Sequence, residues 1–211
     1  CLGELKKTLE AEGILENTLI IFSSDNGPVL NDGYYDDSDV KNGDHMPSGP
    51  YRGGKYSLFE AGTRVPFFTY WKGKIQPGVS DAMVSQLDIF SSLAELVGSE
   101  VRTNDSQPLL DLLMGKSDKG RNEMVIEATS RTAFKKGDWV MIPPYEGPAL
   151  NDKVQIELGN NSDFQLYNLV EDVGQQNNLA DTKPEKLQEM FVAFEAFRVD
   201  DYGNFDELEL Q

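Results

Sequence analysis

The sequence predicts an α/β fold: the closing part of a helix-flanked, parallel-type sheet, followed by a small antiparallel α+β subdomain. Three observations predict it. The chain opens with helix, tight turn, short apolar strand and polar loop in that order. A second apolar run and a second helix come after the loop. From about residue 120 the texture changes to short strands separated by turn residues and closed by one helix.

Leu2, Leu5, Leu9 and Ile14 recur at helical spacing with charges between them, which predicts a helix over 2–12 that Gly13 caps. Thr18-Leu19-Ile20-Ile21-Phe22 is β-branched and aromatic and reads as a buried parallel strand. The polar run Ser23 to Pro28 lies at its carboxyl end, the end at which α/β sheets bind ligands. Residues 29–54 are a long excursion rich in Gly, Asp and Tyr, and connections of that length are characteristically functional or disordered. Residues 64–70 predict a second buried strand. Leu87, Ile89, Phe90, Leu93, Leu96 and Val97 then form the apolar face of a helix that stops at Gly98. Further on, 124–128, 138–142, 155–158 and 164–169 read as strands, and Pro184 opens a helix to about Arg198 with Leu187, Met190, Phe191 and Phe194 on one side. The expected organisation is an α/β portion over 1–119 carrying an active-site loop at 23–64, a subdomain over 120–199 and an acidic surface tail over 200–211.

The chain has 211 residues, a net charge of −17 and 39% hydrophobic residues, the composition of a folded globular protein. That charge argues against nucleic acid as a partner, because phosphate backbones need clustered Lys and Arg. It argues equally against an anionic membrane surface. The longest apolar stretch, near 65–71, is far short of the ~20 residues of a membrane span. The single cysteine excludes an internal disulfide. Cys1 to Lys7 reads as the middle of an amphipathic helix, so the chain is expected to begin inside a larger polypeptide.

Two segments carry chemistry. Asp25-Asn26 sets a carboxylate beside an amide oxygen, hard donors suited to Ca²⁺ or Mg²⁺, although Ser-Asp-Asn-Gly is also good turn chemistry. Arg52-Gly53-Gly54-Lys55 pairs glycines that admit close backbone approach with a lysine for an anionic oxygen, although an isolated Gly-Gly-Lys is also an ordinary turn. Tyr56 succeeds the lysine where a phosphate-cradling P-loop needs Ser or Thr. His45, the only histidine, is a surface-loop residue, a substrate contact or, ranked last, a general acid. Tyr34, Tyr35 and Tyr51 suit either stacking on a sugar ring or packing within the loop.

In combination these segments resemble the second half of the type I sulfatases, in the alkaline-phosphatase-like superfamily. The resemblance runs through Ser24-Asp25-Asn26-Gly27, Gly49 to Lys55, and Glu60-Ala61-Gly62-Thr63-Arg64-Val65-Pro66. It closes with Phe164 to Leu169, Glu171-Asp172 and Asn178-Leu179-Ala180. The resemblance implies that Asp25 and Asn26 are paired ligands of a divalent metal, normally Ca²⁺ with Mg²⁺ as the alternative. It implies that Lys55 contacts sulfate as a catalytic cation, with His45 and Arg52 on the substrate side. Arg64, which precedes a strand, is expected to serve in a buried ion pair holding the loop and not in catalysis, and Glu60 is read the same way.

The family's nucleophile is a formylglycine made within a Cys/Ser-x-Pro/Ala-x-Arg motif, and it is not expected in these 211 residues: the string that fits those letters, Ser48-Gly49-Pro50-Tyr51-Arg52, falls in the lysine-bearing segment that resembles the family's second half. Cys1-Leu2-Gly3-Glu4-Leu5 lacks the proline and arginine. The formylglycine, the upstream aspartate pair and the upstream lysine and histidines are therefore expected in a preceding N-terminal part of the same protein. By resemblance the substrate is a sulfated carbohydrate or aryl sulfate ester, with a galactose-type 6-O-sulfate suggested by Gly43-Asp44-His45-Met46-Pro47, and the compartment is periplasmic or extracellular. The rival readings are a phosphoester hydrolase of the same superfamily and a non-catalytic carbohydrate-binding fragment.

Overall fold

A computed structural model of the chain describes residues 1–101 and 103–201. It divides into two compact units: Cys1–Ser23 with Pro66–Asn122, and Ser24–Val65 with the described residues from Glu123 onward. Sequence reasoning groups the loop at 23–64 with residues 1–119. By its contacts the loop packs with the later strands.

The first unit opens with α1 (Leu2–Ala11). It ends as expected at Gly13, where the Gly13 and Ile14 amides donate to the Glu10 and Leu9 carbonyls and satisfy the last turn. Strand β1 (Ile20–Ser23) pairs with β2 (Phe67–Tyr70), Ile20 opposite Tyr70 and Ser23 opposite Phe67. The expectation of a buried parallel strand is corrected here. The pairing is antiparallel, β1 is half-buried, and Phe68 is exposed, with its ring stacked on Phe22 at 5.0 Å. A continuous apolar run reports strand propensity well and the direction of the neighbour not at all.

The helix expected near 87–97 forms over Asp88–Leu96, but its buried residues are Asp88, Ser91 and Ser92, while Leu87, Phe90 and Val97 are exposed. The reason is a polar core gathered on one carboxylate. Asp88 accepts the amides of Ser85 (2.8 Å) and Gln107 (2.9 Å), and the Arg121 guanidinium grips both of its oxygens. Ser92 and Ser106 add hydroxyl bonds to the same knot, reaching Leu109 and Ser91. A fully buried charge must be met in this way, and doing so turns the helix's polar side inward.

The second unit holds a short helix, α2 (Ser38–Asn42), in the long loop. Its strands β3 (Glu123–Ala128), β4 (Arg131–Lys136), β5 (Trp139–Ile142) and β8 (Gln165–Asn168) form one antiparallel sheet in the order β3-β4-β5-β8. Leu150–Asn151 and Ile156–Glu157 make a small ribbon, β6 and β7. In sequence β4 looks like turn residues, since Arg131, Lys135 and Lys136 make it polar. It is nevertheless a central strand, because its alternate side chains serve two different cores.

The sheet is covered on both faces. Phe134, Met141 and Leu166 pack with Ala180, Met190 and Phe194 beneath the closing helix over Pro184–Asp201, as the spacing of Leu187, Met190 and Phe194 predicts. Their neighbours Ala133, Val140, Ile142 and Tyr167 face the other way and pack with Leu58 and Phe59 from the loop. The period-two alternation of strands thus seats the loop directly on the sheet. The expected acidic tail lies, from residue 202 on, outside the described residues. Among the described residues no helix is long and apolar enough to cross a membrane.

The Asp88–Arg121 pair generates a test. Arg121→Ala strands a buried carboxylate and should cost about 3–5 kcal/mol. The exposed Lys72, which meets Glu10 and Glu16 at the surface, should leave the urea midpoint unchanged when replaced by alanine. Equilibrium urea unfolding of both variants measures the contrast.

Candidate active site

Every residue singled out from the sequence lies in the second unit. Ser24 to Asn26 form a tight turn in which the Ser24 hydroxyl donates to the Asn26 carbonyl (3.1 Å). The Asn26 amide nitrogen donates to Gly27 O (2.9 Å), so the carboxamide presents its oxygen as the remaining ligand atom. Asp25 is exposed.

Gly27 and Pro28, directly after Asn26, are clasped by both ends of the segment that carries the lysine. Gly27 N–H donates to Gly62 O (2.8 Å), and Lys55 N–H donates to Pro28 O (3.0 Å). The approach is close enough to require glycine. A Cβ on Gly27 would lie 1.6 Å from Ala61 O, and one on Gly54 would lie 2.6 Å from Pro28 O. Backbone contacts therefore hold the Asp25-Asn26 turn and Lys55 on one scaffold. Tyr56, next along, is held at φ +78°, an uncommon conformation for a side chain with a Cβ, and the Lys55 ammonium lies 5.4 Å from its ring centroid.

The scaffold is fastened by charge. Glu60 is 3% exposed. Its carboxylate accepts from Lys135 of β4 at 2.9 Å through both oxygens and from Arg64 at 3.0 Å, while its backbone N–H donates to Gln175 Oε1 at 2.7 Å. Both residues have the structural ion-pair role expected of them, and the structure pairs them with each other. Lys135 is an additional partner, and it faces the loop because it alternates with Phe134 along β4. Arg64 also lies over the Tyr51 ring at 4.6 Å.

Arg52 was expected on the substrate side. In the structure three of its five N–H groups are committed: two to the Glu157 carboxylate and one to Gln175 O (2.7 Å), with the guanidinium stacked 4.0 Å from the Phe59 centroid. These contacts tie Arg52 into the framework of the loop. The hydrogen bond to Arg52 holds the Glu157 carboxyl below the ordinary glutamate value against the opposing effect of burial, and the same bond raises the arginine further. Burial pushes the neighbouring Tyr167 phenol upward. Gln175 itself is fully buried at φ +49°, joins Arg52 to Glu60, and has no hydrogen-bond partner for Nε2 among the described residues.

His45 lies in the exposed loop, its backbone bonded to Asn42 at both N–H and C=O. Among the described residues no hydrogen bond or ion pair joins its imidazole to Asp25, Asn26 or Lys55. Sequence reasoning missed Lys135, Glu157 and Gln175. Lys135 is detectable in principle as a charge at an inward position of an alternating strand, whereas Glu157 and Gln175 carry no local signal. The closing turn quoted in the sequence resemblance acts as a brace: Asn178 bonds Leu166 N–H and Phe164 O, fastening the turn to β8.

Asp25 and Asn26 fit a hard divalent cation in kind, and in number they supply two of the roughly six to eight oxygens that Ca²⁺ takes. Among the described residues no group of three or more His, Cys, Asp and Glu is placed to hold a metal.

Comparison with known proteins places this architecture. It superposes with TM-score 0.87 and 41% identity on a solved structure from a Bacteroides thetaiotaomicron locus for the metabolism of multiple glycosaminoglycans, over 92% of this chain and 41% of that one. The fold is of the alkaline-phosphatase-like α/β class. The family model named Sulfatase matches residues 1–99. The N-acetylgalactosamine-6-O-sulfatase of Bacteroides thetaiotaomicron is 41% identical over 201 residues, 93% of this chain and 39% of that protein. Human arylsulfatase A is 30% identical over 205 residues, 88% of this chain and 39% of that protein. The chain belongs to the sulfatase family and matches its C-terminal portion. It spans about two-fifths of the length of these two curated relatives.

The Arg52–Glu157 bond makes the loop acid-sensitive. A carboxyl lowered in the folded state stabilises the protein fully above its unfolded value, near 4.5, and loses that contribution as pH falls through the lower folded value. The denaturation midpoint should therefore drop on acidification from about pH 5 to pH 3. Glu157→Gln should be less stable at neutral pH and show a shallower drop, which thermal melts across that range would read directly.

Proposed function

We propose that this chain is part of a carbohydrate sulfatase, hydrolysing a 6-O-sulfate ester on a galactose-type sugar. The observation that carries this reading is the pair of backbone bonds, Gly27 to Gly62 and Lys55 to Pro28, that puts two hard oxygen donors and an ammonium on one glycine-built scaffold. The substrate class is taken from the N-acetylgalactosamine-6-O-sulfatase to which the chain is 41% identical.

Asp25 supplies an anionic oxygen and Asn26 a neutral one to a divalent cation, Ca²⁺ by preference and Mg²⁺ as the alternative. Such a cation, when bound, polarises the sulfate oxygens and offsets charge that develops as the S–O bond breaks. Lys55 binds the same anionic group from the protein side, as a compact ammonium with three donors. Glu60, Lys135 and Arg52 do not touch the ester in this scheme. They fix the segment on which Lys55 stands. His45 contacts the sugar from the exposed loop. The nucleophile, formylglycine in this family, belongs to sequence outside these 211 residues.

The test uses the full-length polypeptide with N-acetylgalactosamine-6-sulfate as substrate and released sulfate as readout. Lys55→Ala should lower kcat by about 10²–10³-fold, the loss typical of one electrostatic stabiliser. Asp25→Ala should raise the Ca²⁺ concentration needed for half-maximal activity and shrink the Ca²⁺-dependent rise in Tm. The 211-residue chain alone should release no sulfate. Activity indifferent to both substitutions, or sulfate release by the short chain, overturns the assignment.

A further inference from the structure

Sequence leaves Tyr34, Tyr35 and Tyr51 equally suited to stacking on a sugar and to packing inside the loop, and the structure separates them. Tyr51 is half-buried and already carries the Arg64 guanidinium over its ring. Tyr34 is 78% exposed and Tyr35 is completely so. Among the described residues neither ring stacks on another ring or on a cation. Within the described residues packing therefore does not account for them, since a ring left in water returns nothing to folding.

Their position is nonetheless built. The Ser38 hydroxyl donates to Leu30 O across eight residues, closing a loop whose apex is Tyr34-Tyr35. Inside it, Asp32 accepts the Tyr34 amide (3.1 Å) and Asp36 accepts the Ser38 amide (3.0 Å), and the Lys41 ammonium reaches back to Asp36 O. The base of this loop is tied to the site. Leu30 lies two residues beyond Pro28, whose carbonyl receives the Lys55 N–H. At no more than about 3.5 Å per residue, the loop base is within ~7 Å of that bond and Tyr35 within ~25 Å.

The charge around the apex narrows the ligand. Asp32, Asp36, Asp37, Asp39 and Asp44 stand against the one cation Lys41, which is itself paired with Asp37. Such a surface repels a second sulfate or a uronate, while aromatic faces and carboxylates suit the C–H and O–H groups of a neutral pyranose. We propose that Tyr34 and Tyr35 form a stacking platform for an uncharged sugar residue adjoining the sulfated one, so that the protein favours oligosaccharides whose neighbouring residues carry no sulfate or carboxylate. This rests on the carbohydrate-sulfatase reading above and adds to it a determinant of chain context.

The experiment compares full-length protein with a Tyr34→Ala/Tyr35→Ala double variant and a Tyr34→Phe/Tyr35→Phe double variant. Three substrates are used: a 6-sulfated monosaccharide, a trisaccharide with that residue flanked by neutral galactose-type sugars, and the same trisaccharide with a second sulfate on a flanking residue. The alanine variant should raise KM for the neutral-flanked trisaccharide roughly ten-fold with kcat little changed, and leave the monosaccharide unaffected. The phenylalanine variant should retain most of the wild-type KM. The doubly sulfated trisaccharide should have the higher KM with wild-type protein. Equal KM changes on monosaccharide and trisaccharide, no change on the trisaccharide, or no penalty for the second sulfate overturns the proposal. If the unsubstituted protein releases no sulfate from any substrate, the sulfatase reading itself fails. NMR titration with the desulfated trisaccharide then decides the platform alone: shifts at Tyr34 and Tyr35 sustain it, and their absence overturns it.

Discussion

A carboxylate buried to the extent of Glu60 is costly unless cations are brought to it. The second unit is arranged around that requirement. Lys135 arrives from the middle of the sheet, Arg64 from four residues along the chain, and Gln175 takes the residue's own amide. Because Lys135 is fixed by β4, the pair pins an otherwise irregular segment to a regular one. Leu58 and Phe59 then seal the junction with apolar contact against Ile126, Val140 and Ile142. The placement of Lys55 and of the Asp25-Asn26 turn depends on this anchorage, since the segment that holds them has no strand or long helix of its own.

Arg52 extends the same logic outward. Its bidentate bond to Glu157 and its stacking on Phe59 give the other arm of the segment a second fastening. Arginine suits this better than lysine, because a planar fork matches a carboxylate and a ring face at once. The two fastenings share Gln175, which bonds Arg52 through its carbonyl and Glu60 through its side chain. A single buried glutamine held in a left-handed conformation thus couples two ion pairs that are eight residues apart in sequence.

Elements with strong local patterns were legible in the sequence: α1 and its glycine cap, the helix near 88–96, the strands at 123–128 and 165–168, and the closing helix from Pro184. Strand direction in the first unit was not legible, because an apolar run looks the same whichever way its neighbour points. The inward face of the Asp88 helix was misread for a related reason. Hydrophobic periodicity identifies an apolar stripe, but here a buried carboxylate and its donors outweigh that stripe within the unit. In the site, Asp25, Asn26 and Lys55 stood out because glycines mark places where backbone must come close. Lys135, Glu157 and Gln175 were hidden because they act from 75 to 123 residues away and obey no local rule.

Those separations have a consequence in time. During synthesis the segment from Arg52 to Arg64 emerges long before its distant fasteners. Glu157 comes 105 residues after Arg52, and Gln175 comes 123 after it. Such late, non-local closure is slow in entropic terms and leaves the Arg52 to Arg64 segment without its Glu157 and Gln175 fastenings until then. The glycine-built loop therefore has its full set of fasteners only once its final strand and turn have been made. The geometry around Lys55 is thus among the last features to become ordered, and in this protein the maturation of the site is bound to the arrival of the residues that brace it.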